Sequence, residues 1–208
     1  PPPPRVSLSK VTLDKKGDKK IVDLRKGGAG NKLHFNLNWT APAARKKGFL
    51  AGLAGGASAP DLDLGCMFEM ADGKLGVIQP LGGNFGNQNG PPHIYLDKDD
   101  RSGSAADGEN LYILRPDLIK RVMVFALIYE GAKDFTSVGG RLTVTDPDGN
   151  EILVQLNNPD ANHPFCSICL VTQSGGGVAI QKEERYFRGH RDADQYYQFG
   201  FSWSAGSK

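Results

Sequence analysis

Apolar and polar residues alternate with a period of two along much of the chain. Leu33, Phe35, Leu37 and Trp39 interleave with His34, Asn36 and Asn38, the pattern of a strand with one buried face. Leu62, Leu64, Cys66, Phe68 and Met70 make a second such face, and residues 122–129 (VMVFALIY) form a continuous apolar run short enough for a central strand. Leu142 and Val144 precede the turn sequence Asp146-Pro147-Asp148-Gly149-Asn150, and Ile152, Val154 and Leu156 follow it, which predicts a hairpin over 141–156. Tyr197, Phe199, Phe201 and Trp203 alternate with Gln198, Gly200 and Ser202, predicting a closing aromatic strand whose rings belong to the core. Helical spacing is scarce beyond one turn near residues 116–120. Many short strands separated by Gly, Pro, Asn and Asp clusters predict an all-β fold, a sandwich of two packed antiparallel sheets with little helix.

Composition adds limits. The chain has 208 residues, 39% hydrophobic and 23% charged, enough to bury a core, and no apolar run approaches the ~18 residues of a membrane span. The leading Pro1–Pro4 read as a stiff spacer, so residues 1–5 are expected to be linker and 6–208 a single domain. A Gly/Ala-rich stretch at 48–60 reads as a loop or insertion, and Gly175-Gly176-Gly177 as another loop. Cys66, Cys166 and Cys169 are too few for a disulfide framework, which predicts a reducing cytoplasm. Charge is uneven: residues 1–50 carry 12 Lys or Arg against 3 Asp, and the remainder 13 against 20 acidic residues. The basic pairs Lys15-Lys16, Lys19-Lys20 and Lys46-Lys47 suit a solvated edge strand and loop, with an anionic membrane surface or nucleic acid as the alternatives.

The candidate chemistry is acidic. Asp61 and Asp63 stand two apart at the start of a strand, so both carboxylates project the same way and can converge on one ion. A second cluster runs from Asp97 through Asp99, Asp100 and Asp107 to Glu109, five acidic groups against two basic ones in a Gly- and Ser-rich loop. Hard oxygen ligands in such a loop suit Ca²⁺, which accepts six to eight of them in irregular geometry. Asn84, Asn87 and Asn89 offer further neutral oxygens. The loop is not an EF-hand, because Arg101 occupies a ligand position and the glycine falls late. On residues alone, a calcium site, a solvated acidic loop and a catalytic carboxylate pair all stand.

Other candidates carry less. Cys166 and Cys169 form a CxxC, but strand alternation across FCSICLV would point their side chains to opposite faces, leaving a structural pair of small apolar residues. Cys66 shares a face with Leu64 and Phe68. His34, His93, His163 and His190 are scattered, with no nucleophile motif beside them. The glycines of GGAGN at 27–31 do not lie between a strand and a helix, so they make no phosphate loop.

The strings DLDLGCMFEM at 61–70, GNFGNQNGPPHIYLDKDDRSG at 83–103, GENLYI at 108–113 and RVMVFALIYEG at 121–131 resemble successive blocks of the TerD domain of tellurium-resistance and stress-response proteins. RYFRGHRDADQYYQFGFSWSAGSK at 185–208 is similar to the closing segment of the TerA-type members. The resemblance covers residues 6–206 in order. It implies a β-sandwich with acidic calcium sites in bacterial cytoplasmic proteins, and no established reaction. Carried over, it assigns metal-binding roles to Asp61, Asp63, Asp99, Asp100 and Glu109, with Asp107 in the same loop. Ala105, Ala106 and Gly108 depart from the more acidic pattern of the family. The expectation is a Ca²⁺-stabilised, non-enzymatic interaction module. Its partners are proteins, other tellurium-resistance proteins first, with peripheral membrane contact open and no nucleic acid. The alternative is a metal-dependent hydrolase, or a thiol-based tellurite-processing enzyme, using the same acidic loop or the cysteines.

Overall fold

The structure is a computed structural model that describes residues 8–25, 30–40, 59–97 and 108–204. Two six-stranded sheets pack face to face. In spatial order the first comprises β1 (Lys10–Thr12), β10 (Glu151–Gln155), β9 (Arg141–Thr145), β3 (Leu33–Asn38), β7 (Glu109–Ile113) and β6 (Ile94–Leu96). The second comprises β2 (Lys19–Asp23), β12 (Gly177–Phe187), β11 (Phe165–Ser174), β8 (Ile119–Glu130), β4 (Asp61–Met70) and β5 (Leu75–Ile78). The expected all-β sandwich is present, with one departure from antiparallel pairing: β1 runs parallel to β10.

Period-two patterning decides what lies between the sheets. Leu33, Phe35, Leu37, Leu111 and Ile113 from the first sheet share one buried cluster with Leu62, Leu64, Cys66, Val122 and Val124 from the second. The hairpin predicted over 141–156 is β9 and β10, closed by Asp146, whose Oδ1 accepts the N–H groups of Asp148 and Asn150. Gly175 and Gly176 make the tight turn between β11 and β12. The helical turn near 116–120 is a 3₁₀ turn over Pro116–Leu118 that leads directly into β8. Most of the Gly/Ala-rich 48–60 stretch and the start of GGAGN lie outside the described residues.

The continuous apolar character of β8 has a second cause. Met67, Met123, Phe125 and Phe165 point away from the first sheet into another buried cluster, covered by Ala193, Tyr197 and Phe199. The cover is α1 (His190–Tyr197) and the tail after it, where a closing strand was expected. Tyr197 does not begin an alternating strand. It shares a helical face with buried Ala193 and Asp194, and Gln198 ends the helix in the left-handed region at φ 55°. Asp194 then holds the tail, accepting the N–H groups of Gly200 and Phe201 and the indole N–H of Trp203 at 2.8–2.9 Å. The aromatic residues are core, as expected, but through a helix and a side-chain anchor instead of a strand ladder.

The CxxC reading also needs correction. A bulge shifts the register between Ser167 and Cys169, resetting the alternation, so Cys166 pairs across from Ala126 and Cys169 from Val124. Both thiols therefore enter the core between the sheets, where Cys66 also lies, and all three cysteines are free. Burial pushes each thiol pKa well above the ordinary range.

His190 sits in the cover, its Nε2 2.6 Å from Gln79 Oε1 and its ring against Phe125, Phe165 and Trp203. Desolvation pushes its pKa down to about 4. The unfolded chain therefore takes up this proton first, so the contribution is complete above about pH 6.5 and is lost as pH falls toward 4. The expected loss is at most about 3 kcal/mol. Urea unfolding at pH 7 and pH 4.5 should show this slope in the natural chain and a smaller one in His190→Gln.

Candidate metal centre

Strand β5 covers β4 only along Cys66–Glu69, so residues 61–65 have no β5 partner along that edge. Opposite this stretch lies the start of β7. Gly108 precedes it at φ 66°, where a Cβ would stand 2.1 Å from the backbone oxygen of Leu37. Only glycine lets the chain approach β3 so closely. The next residue, Glu109, has the parity of Leu111 and Ile113, so its side chain turns inward towards the other sheet.

Glu109 Oε2 accepts the backbone N–H of Leu64, a bond from the first sheet to the second. Oxygens of Asp61, Asp63 and Glu109 all lie within 4.8 Å of one another. The residues are 9%, 1% and 2% exposed, so water does little to screen their charges. Three hard carboxylate donors from two sheets, largely desolvated, match the donor chemistry of a divalent hard cation. They do not match a softer site, since all three cysteines are deep in the core and no histidine joins the cluster among the described residues.

The predicted ligand set divides. Asp61, Asp63 and Glu109 are brought together, whereas Asp99, Asp100 and Asp107 lie outside the described residues. Asn84 and Asn87 use their side-chain oxygens in local turns, accepting N–H groups from Gly86 and from Asn89 and Gly90. Asp97 turns to the outer face of the first sheet, where its Oδ1 accepts the N–H of Asn110 at 3.2 Å. Burial raises its pKa, and Asn110 and His34 partly oppose that.

No family model matches the chain. The tellurium resistance protein TerA of an Alcaligenes species is 37% identical over 206 residues, 98% of this chain and 60% of that protein. This likeness over nearly the whole chain supports membership of the tellurium-resistance (Ter) family. The resemblance of its sequence blocks to the TerD domain is consistent with this membership. The chain spans 60% of the length of TerA, so the likeness covers one region of that protein and leaves the rest uncompared. Asp61, Asp63, Glu109 and the Gly108 turn all lie inside the 206 residues that the match spans.

The two faces of Glu109 separate in mutants. Glu109→Gln keeps an acceptor for the Leu64 N–H, so in chelator it should melt above Glu109→Leu. Glu109→Leu leaves that N–H without an acceptor and should cost about 1–3 kcal/mol. Thermal melts of both variants in EDTA check the pair.

Proposed function

We propose that this domain is a calcium-binding, non-enzymatic interaction module of a bacterial tellurium-resistance protein that acts in the cytoplasm. One observation carries the reading: carboxylates from facing sheets share a volume within 4.8 Å. Asp61, Asp63 and Glu109 hold the ion, and its charge offsets their mutual repulsion. Because the ligands come from both sheets, the ion ties β4 to β7. The likeness to TerA supports the resistance role, and protein partners, other tellurium-resistance proteins among them, read the surface so ordered. Among the described residues no helix is long and apolar enough to cross a membrane.

The enzymatic alternatives have weaker support. Thiol chemistry needs an accessible thiolate, whereas Cys66, Cys166 and Cys169 are completely buried with raised pKa values. Hydrolysis through the acidic residues needs room for substrate beside them. The four best-formed clefts among the described residues, beside Arg115, Phe68, Phe201 and Arg188, are not lined by Asp61, Asp63 or Glu109.

Calorimetric titration of chelator-stripped protein with Ca²⁺, repeated in excess Mg²⁺, tests the reading. Saturable heat that persists in Mg²⁺ and disappears in Asp63→Asn is expected. At Ca²⁺ about 100-fold above Kd the fold gains about 2.7 kcal/mol, a rise in Tm of roughly 5–10 °C. Heat that is unchanged in Asp63→Asn would move the site elsewhere, and no heat would end the calcium reading.

A further inference from the structure

The outer face of the first sheet carries a ladder of rings. His34, Tyr112 and Tyr95 have the opposite parity to the core residues beside them and stand at directly paired positions on β3, β7 and β6. His34 stacks on Tyr112 with centroids 4.6 Å apart and planes 7° from parallel, and Tyr112 stacks on Tyr95 at 4.9 Å and 17°. That spacing is the separation of neighbouring strands, so each strand supplies one rung. The row continues on one side to Thr145, paired with His34, and on the other to Gly86, bridged to Tyr95.

Gly86 cannot be replaced by a ring. Its φ is 80°, and a Cβ there would lie 2.1 Å from the backbone oxygen of Ile94. The rung beyond Tyr95 is thus one strand spacing wide and has no side chain of its own, leaving the outer face of that ring without a cross-strand ring among the described residues. Two residues along the same face is Asp97. Its surroundings are Asn110, the phenols of Tyr95 and Tyr112 and, at longer range, His34, and it forms no ion pair with Lys or Arg among the described residues. An electron-rich ring face beside a partly desolvated carboxylate attracts a cation.

We propose that the open rung over Gly86 binds a guanidinium group, the arginine side chain of a protein partner, stacked on Tyr95 and paired with Asp97. A planar guanidinium continues the stacking at the strand spacing and presents forked N–H donors to a carboxylate, whereas an ammonium does neither. The site lies on the outer face of the first sheet and does not depend on an ion at Asp61, Asp63 and Glu109.

The probe is the blocked amino acid N-acetyl-arginine methylamide, titrated into the whole chain while the ring resonances of Tyr95 and the carboxyl resonance of Asp97 are followed by NMR. Saturable shifts at both positions are expected, weakened about tenfold or more with the citrulline analogue, which keeps the shape and loses the charge. Tyr95→Ala and Asp97→Asn should each abolish saturation, and Tyr95→Phe should retain it. Equal response to citrulline, an equal or stronger response to the lysine analogue, undiminished binding in Tyr95→Ala, or no shift would each overturn the assignment. The dispersion of core methyl resonances shows that each variant is folded.

Discussion

Like charges held within one small, nearly dry volume repel strongly, because the interior screens them far less than water does. Asp61, Asp63 and Glu109 are placed under that constraint, and they come from both layers of the sandwich. Much of the architecture at this end serves to hold them there. β5 stops short of the first five residues of β4, Gly108 takes a backbone conformation closed to other residues, and Glu109 reaches across to the Leu64 N–H. On the proposed function, a bound cation shares these carboxylates and ties the two sheets together at this end.

The outer faces of the sheets have been treated in opposite ways. The second sheet is buried on both sides at its centre, because α1 and the anchored tail lie over Phe125 and Phe165, and the middle of β8 is then apolar on both faces. Arg121 strengthens this cover by joining Glu69 and the carbonyl oxygens of Tyr197 and Gln198. The first sheet instead presents polar residues and a row of stacked rings. The domain therefore has an open, chemically varied sheet face on one side and, on the other, a sheet whose centre is covered by α1 and the tail.

Most of the sandwich could be read from alternation alone, because a half-buried strand must repeat every two residues. The same rule failed where the chain left the ladder. Tyr197 belongs to a helix, yet it kept apparent register with Phe199, Phe201 and Trp203, and only the side chain of Asp194 explains how those residues are held. A bulge near Ile168 turned Cys169 to the same side as Cys166, and nothing in FCSICLV announces a bulge. At the acidic site, the pairing of Asp61 with Asp63 followed from their spacing. The part played by Glu109 did not, since it reads as the end of an acidic loop. Its parity with Leu111 and Ile113 was the available signal that it belongs to a strand and faces inward. The ring ladder was hidden because His34, Tyr95 and Tyr112 meet only through pairing between distant strands.

The most direct test is crystallographic: crystals grown with Ca²⁺, and matched crystals soaked in Tb³⁺ for its anomalous signal. The account predicts one ion peak bounded by carboxylate oxygens of Asp61, Asp63 and Glu109, at about 2.3–2.6 Å, contributed by both sheets. A peak held by other residues, or none while the three carboxylates keep their present positions, would contradict it.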